Sequence, residues 1–122
     1  MNGRYILDGK KAIECNNLIT WANQFEKASR KVAYDKKNGI EVSTVFLGLD
    51  HSFGGKTPIL FETMVFGGKH DQESERYATW EEAEKGHHIM CIKMFLFTNY
   101  LQIINIIIMM NFVFMMNIFI CI

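Results

Sequence analysis

Residues 31–50, KVAYDKKNGIEVSTVFLGLD, decide how this chain folds. Asn38-Gly39, near the middle, is a dipeptide that readily adopts the positive φ angles of a two-residue hairpin turn. After it, residues 40–49 are rich in β-branched and large apolar side chains, the composition of a strand. A hairpin reversing at Asn38-Gly39 is therefore expected. Its second arm is apolar on both faces, which suits a central strand covered on at least one side by a helix.

Working outward, a second apolar run from Ile59 to Phe66 follows the loop HSFGGKTP and reads as another central strand. Pro58, the chain's one proline, stands at its entrance, where a missing N–H costs least. Upstream, RYILDGKKAIE (4–14) places Asp8-Gly9 between two short apolar-containing runs, which predicts a small hairpin with a type I′ turn. Asn16 or Asn17 then offers a cap for an amphipathic helix over 17–31. Leu18, Trp21, Ala22, Phe25, Ala28 and Val32 recur there at helical spacing, with Trp21 and Phe25 as core anchors.

Downstream, residues 67–78 read as a polar connector, and Thr79-Trp80-Glu81-Glu82 as a capping box opening a second helix. Trp80, Ala83, His87, Met90, Cys91 and Met94 continue one face of it. Gly86 within this helix costs about 1 kcal/mol relative to alanine, so a close packing contact is expected there. The order hairpin, helix, strands, helix gives an α+β fold: a small antiparallel sheet with two helices packed on one face, plus an apolar C-terminal tail.

Charge divides the chain in two. All 13 Lys and Arg and all 13 Asp and Glu lie at or before Lys93. Residues 1–93 form the expected globular domain, and their even balance carries no electrostatic footprint for nucleic acid or for an anionic membrane surface. Cys15, Cys91 and Cys121 fall in no metal-binding or redox spacing, and an odd, scattered set suits a reducing cytoplasm. The start, MNGRYILDGKKAIE, lacks the apolar run of a secretory signal, so the domain is expected in the cytoplasm of a bacterial host.

Residues 94–122 are uncharged, and Ile, Met, Asn and Phe supply 22 of these 29. Asn99, Asn105, Asn111 and Asn117 recur every six residues, a step of about 240° net on a helix, so they line no single seam. Three readings stand: a membrane-spanning helix of sufficient length, a packed helix continuing the second, or an extension produced by read-through of AT-rich repetitive DNA. Lipid-facing amides and few flanking basic residues weigh against the first.

YILDGK (5–10), VSTVFLGLDHSFG (42–54), PILFETMVFGG (58–68) and ERYATWEEAEKGH (75–87) together resemble a family of small uncharacterised proteins of bacteriophages and prophages. The resemblance runs from about Tyr5 to His87 and implies a phage or prophage setting and an accessory role. It brings no activity and no catalytic residue. Family members look as though they end soon after the second helix, a departure that favours the read-through reading of the tail.

Asp50, His51, Glu62, His70, Asp71, His87 and His88 are the densest supply of imidazole and carboxylate, ordinary metal ligands. Asp50, His51, Glu62 and His87 are the candidate ligands, although no pair has a recognised helical metal spacing. If residue 50 faces 59, Glu62 lies opposite Leu47 and about 10 Å from Asp50 along the ladder, too far to share an ion. Glu62 interrupts an apolar run and needs a partner, with Arg76 or Lys56 in reach. Gly54-Gly55-Lys56-Thr57 looks like the end of a phosphate loop, but the first glycine is missing and a strand follows. Cys91 has His87 one turn earlier, which would lower its pKa on contact, yet both lie on the core face where an inert thiol is expected.

Non-catalytic binding of a host protein or small molecule follows as the expected function, through a shallow surface near His51, Phe53, Lys56 and Tyr77, with no cofactor. The alternatives are a small metal-dependent enzyme centred on Asp50-His51, in which Glu62, His70 or His87 converges on that loop, and a tail-anchored membrane protein.

Overall fold

The computed structural model describes residues 3–121, the side chains of 97–99 and 121 apart. Asn99 and Cys121 thus lie outside the described side chains, and Met1, Asn2 and Ile122 outside the described residues. The chain is α+β, with a two-stranded and a four-stranded antiparallel sheet.

The N-terminal hairpin pairs β1 (Tyr5–Asp8) with β2 (Lys11–Glu14). Asp8 faces Lys11, so the turn residues are Gly9 and Lys10, and only Gly9 (φ 62°) has positive φ. That is the type II′ pattern, glycine first, rather than the expected I′ turn on Asp8-Gly9. Helix α1 (Leu18–Lys27) is capped by Asn17, whose side chain accepts the Thr20 N–H at 3.0 Å. It is shorter than the expected 17–31 because Ala28 is already extended and the chain turns into the next strand. None of its residues is fully buried. It packs on β1, and Trp21 Nε1 donates to the Gly48 carbonyl at 3.0 Å, while Arg30 stacks on Phe25.

The larger sheet runs in the order β3 (Lys31–Lys37), β4 (Ile40–Phe46), β5 (Phe61–Phe66), β6 (Ser74–Tyr77). Asn38 (φ 53°) and Gly39 (φ 79°) make the expected I′ turn between β3 and β4. β4 and β5 are the central pair, but their register differs from the expected one by two residues: Glu62 faces Val45. Residues 48–50 leave the ladder to pair with the N-terminal segment instead. The Tyr5 N–H donates to Gly48, the Asp50 N–H donates to Gly3, and Leu49 bridges Arg4. Gly48, at φ 75°, makes that departure accessible. β6 lies within the stretch expected to be connector. It is a short, charged edge strand, a composition that discourages pairing with other chains.

Helix α2 (Trp80–Cys91) crosses one face of this sheet, and its capping box forms as expected: the Glu82 N–H donates to Thr79 Oγ1 at 3.2 Å. Glu82 Oε2 reaches one residue further back than Thr79, accepting the Ala78 N–H at 3.0 Å. Val42, Val65, Met90 and Met94 form one buried cluster. Phe46, Leu60, Phe61 and Ala83 form another, closed by Tyr5, Leu7 and Ala12 of the hairpin. Each fully buried side chain of this size contributes about 1.5–3 kcal/mol. Gly86 does meet a close neighbour, for a Cβ there would stand within 3.0 Å of three Tyr77 ring-end atoms.

The helix does not stop where the charges stop. A π-helical turn (Ile92–Leu96) leads directly into α3 (Phe97–Cys121). Met94 is 2 % exposed and Phe95 packs beside it, so the core reaches past Lys93. Beyond it, α3 leaves the domain, with nearly every described side chain exposed.

Candidate functional site

Between the two apolar clusters the covered sheet face carries a polar layer. Thr44 on β4 and Thr63 on β5 face each other in register, both fully buried, with hydroxyls 2.5 Å apart. From α2, His87 comes down on this row, its Nδ1 2.7 Å from Thr44 Oγ1. Its Nε2 points toward the β3 side and lies 2.7 Å from Asp35 Oδ2. One helical turn on, Cys91 Sγ is 3.5 Å from the same Nε2 and 3.6 Å from Asp35 Oδ2. A continuous chain of polar contacts thus runs from two threonines to a histidine, a carboxylate and a thiol.

The layer grades from dry to wet. The His87 side chain is 6 % exposed, whereas that of Asp35, on the edge strand, is 59 % exposed. The His87 hydrogen bond holds the Asp35 carboxyl below its ordinary range, against the opposing effect of desolvation. Burial, joined by the Asp35 charge and hydrogen bond, pushes the Cys91 thiol up to about 11. The expected contact between Cys91 and His87 exists, but it does not make a nucleophile: at neutral pH the sulfur keeps its proton.

The other residues singled out by the sequence lie elsewhere. Asp50 staples its own loop, accepting the N–H groups of Ser52 at 2.8 Å and Ile59 at 3.0 Å and the Ser52 hydroxyl at 2.9 Å. Those bonds lower its pKa. His51 Nδ1 lies 2.8 Å from the Leu49 carbonyl and its ring meets Phe53 edge-on. Glu62 pairs with Arg76 at 2.8 Å on the open face of the sheet, one of its two expected partners. His70 contacts Glu73 at 3.1 Å, and Asp71 accepts the Gly67 N–H at 2.7 Å. Among the described residues, the one His, Cys, Asp and Glu group close enough to share an ion is Asp35, His87 and Cys91. Asp35 was invisible as a partner because its neighbours in sequence, DKKNG, read as a solvated turn.

The expected binding surface is divided as well. Phe53 (90 % exposed, φ 53°) and Lys56 stand out on the 51–57 loop. Tyr77 does not join them, because its ring lies under α2 against Gly86. A strand follows GGKT, so the loop has no helix N-terminus to meet a phosphate. Beside it a groove of about 610 Å³ opens between the β1–β2 hairpin, Thr57-Pro58 and the first turn of α2, with Lys10, Lys11 and Trp80 in its walls.

No family model, curated protein or solved structure matches this chain. The fold and the polar layer define a small two-layer α+β domain with a helical extension.

Proposed function

We propose that the protein is a small, non-catalytic binding domain held at a membrane by α3. One observation carries this: α3 is a charge-free helix of 25 residues whose described side chains are almost all exposed. At 1.5 Å per residue it is about 37 Å long, more than the roughly 30 Å hydrocarbon core of a bilayer. A row of Ile, Met and Phe of that length in water would be a standing aggregation hazard. The fold adds one basic residue to the sparse local flank, since Lys69 joins Lys93, itself paired with Glu73, at the groove by the root of α3, beside Leu101. Lysines at that end favour placing the domain on the cytoplasmic side.

The binding role rests on the groove beside the hairpin, of a size that suits a small molecule or a peptide segment. It is non-catalytic in this reading because Asp50, His51 and Glu62 each serve a different local contact and the Cys91 thiol beside His87 keeps its proton at neutral pH. An accessory role in a phage or prophage rests on the sequence resemblance alone.

Alkaline extraction of membranes carrying the full chain tests the anchor. The wild type should stay with the bilayer, whereas Met109→Lys combined with Phe112→Lys should be released. Two central lysines cost about 5–7 kcal/mol of insertion. Release of the wild type, or equal retention of both, would remove the proposal and leave the packed-helix or read-through readings of the tail.

A further inference from the structure

We propose that Asp35, His87 and Cys91 form a zinc-binding site with an open fourth position. Three observations carry it, none of which depends on the membrane reading.

The first is the donor set. A thiolate, an imidazole and a carboxylate are ordinary zinc ligands, and a sulfur ligand disfavours magnesium and calcium. The second is distance. Tetrahedral zinc with bonds of about 2.0–2.1 Å to nitrogen and oxygen and 2.3 Å to sulfur requires ligand-to-ligand edges of about 3.3 Å (N–O) and 3.5–3.6 Å (N–S and O–S). The two sulfur edges are already 3.5 and 3.6 Å. Only the Nε2–Oδ2 edge, at 2.7 Å, must open, by about 0.6 Å. Asp35 can make that movement, because it sits exposed on an edge strand while His87 and Cys91 are fixed one turn apart on α2.

The third is the support behind the ligands. A metal-bound histidine gives its other ring N–H to a fixed acceptor, which sets tautomer and orientation. His87 Nδ1 has that acceptor in Thr44 Oγ1, itself held by Thr63. Binding replaces the hydrogen bond between Nε2 and Asp35 with two metal bonds. Cys91 loses its thiol proton to solvent, and His87 takes the tautomer that donates from Nδ1 to Thr44. Three protein ligands with one side open to solvent leave the fourth position to water.

Cobalt(II) titration of the full chain in non-ionic detergent, under reducing conditions, tests the assignment. One equivalent should produce a thiolate-to-cobalt charge-transfer band that zinc bleaches by displacement. Cys91→Ser should abolish the band, and Asp35→Asn should weaken binding by about tenfold or more. Thr44→Val, which touches no metal, should weaken it about 10–100-fold by freeing the imidazole. In the unaltered protein, zinc should slow the alkylation of Cys91 relative to the zinc-free protein at the same pH, read by peptide mass spectrometry, so a misfolded variant does not decide the outcome. A band that survives Cys91→Ser, the absence of any band at micromolar cobalt, or unshielded Cys91 would overturn the proposal.

Discussion

Replacing Gly86 by alanine should destabilise a helix that ordinary helix propensity says it should strengthen. In an unobstructed helix interior, Gly→Ala gains about 1 kcal/mol. Here the new Cβ would stand within 3.0 Å of Tyr77 Cε1, Cζ and Oη, whereas ordinary contact begins at 3.4 Å. The ring has little freedom to retreat, because it packs against the buried cluster of Phe46, Leu60, Phe61 and Ala83. Overpacking of this kind costs about 1–3 kcal/mol, and three crowded atoms place it at the upper end. The net expectation is a loss of about 2 kcal/mol, or roughly 8–16 °C in Tm for a domain of this size. Urea unfolding followed by tryptophan fluorescence reads it, since Trp80 opens the same helix. Tyr77→Val removes the three atoms and keeps a strand-forming side chain, so on that background Gly86→Ala should regain its stabilising sign. If Gly86→Ala stabilises the unaltered protein, or has the same effect on both backgrounds, the packing account of Gly86 is wrong.

Three further outcomes follow from the polar layer. Asp35 has a depressed folded-state pKa, so its contribution is fully present above the ordinary value of 3.8 and disappears as pH falls through the lower, folded one. Urea midpoints against pH should therefore show Asp35→Asn less stable than wild type near neutrality and converging with it in acid. With its thiol near 11, Cys91 should alkylate slowly at pH 8 and accelerate into strong alkali. Asp35→Asn should move that rise to lower pH, measured on the Cys91 peptide. Thr44→Val should cost about 2–6 kcal/mol in chemical denaturation, because the Thr63 hydroxyl and His87 Nδ1 both lose a buried partner, at about 1–3 kcal/mol each.

Local features were legible from sequence because short-range chemistry decides them. Asn38-Gly39 makes its I′ turn, Asn17 and Thr79 cap their helices, and Gly86 marks a close contact. Pairing was legible only where the strands stayed regular. The register between β4 and β5 came out two residues away because Gly48, Leu49 and Asp50 bond to residues 3–5, a long-range choice that no periodicity carries. β6 was missed since SERY has neither apolar alternation nor length, and it is a strand only because β5 has a free edge to pair with. The polar layer was half visible. His87 and Cys91 share a helical face by spacing, but Asp35 reaches them through strand pairing. Thr44 and Thr63 read as ordinary β-branched residues until their opposition is known.

The threonines also bear on why a small core contains a polar layer at all. On the covered face β4 reads Val42, Thr44, Phe46 and β5 reads Phe61, Thr63, Val65, mirror patterns that meet in antiparallel order. A slip of two residues would keep every side chain on its face, so alternation alone does not forbid it. It would, however, set each threonine against an apolar partner and leave two buried hydroxyls unmatched, at about 1–3 kcal/mol each. The Thr44–Thr63 pair thus specifies register where the apolar pattern is nearly degenerate, and His87 Nδ1 completes that pair from above. Register accounts for only one side of the imidazole, however. Nothing in strand pairing calls for a carboxylate on β3 and a thiol on α2 around Nε2, where apolar side chains at those two positions would meet at no desolvation cost. That side of His87 faces solvent, with two of three ligand edges already at zinc spacing, an arrangement that a metal site accounts for and strand register does not.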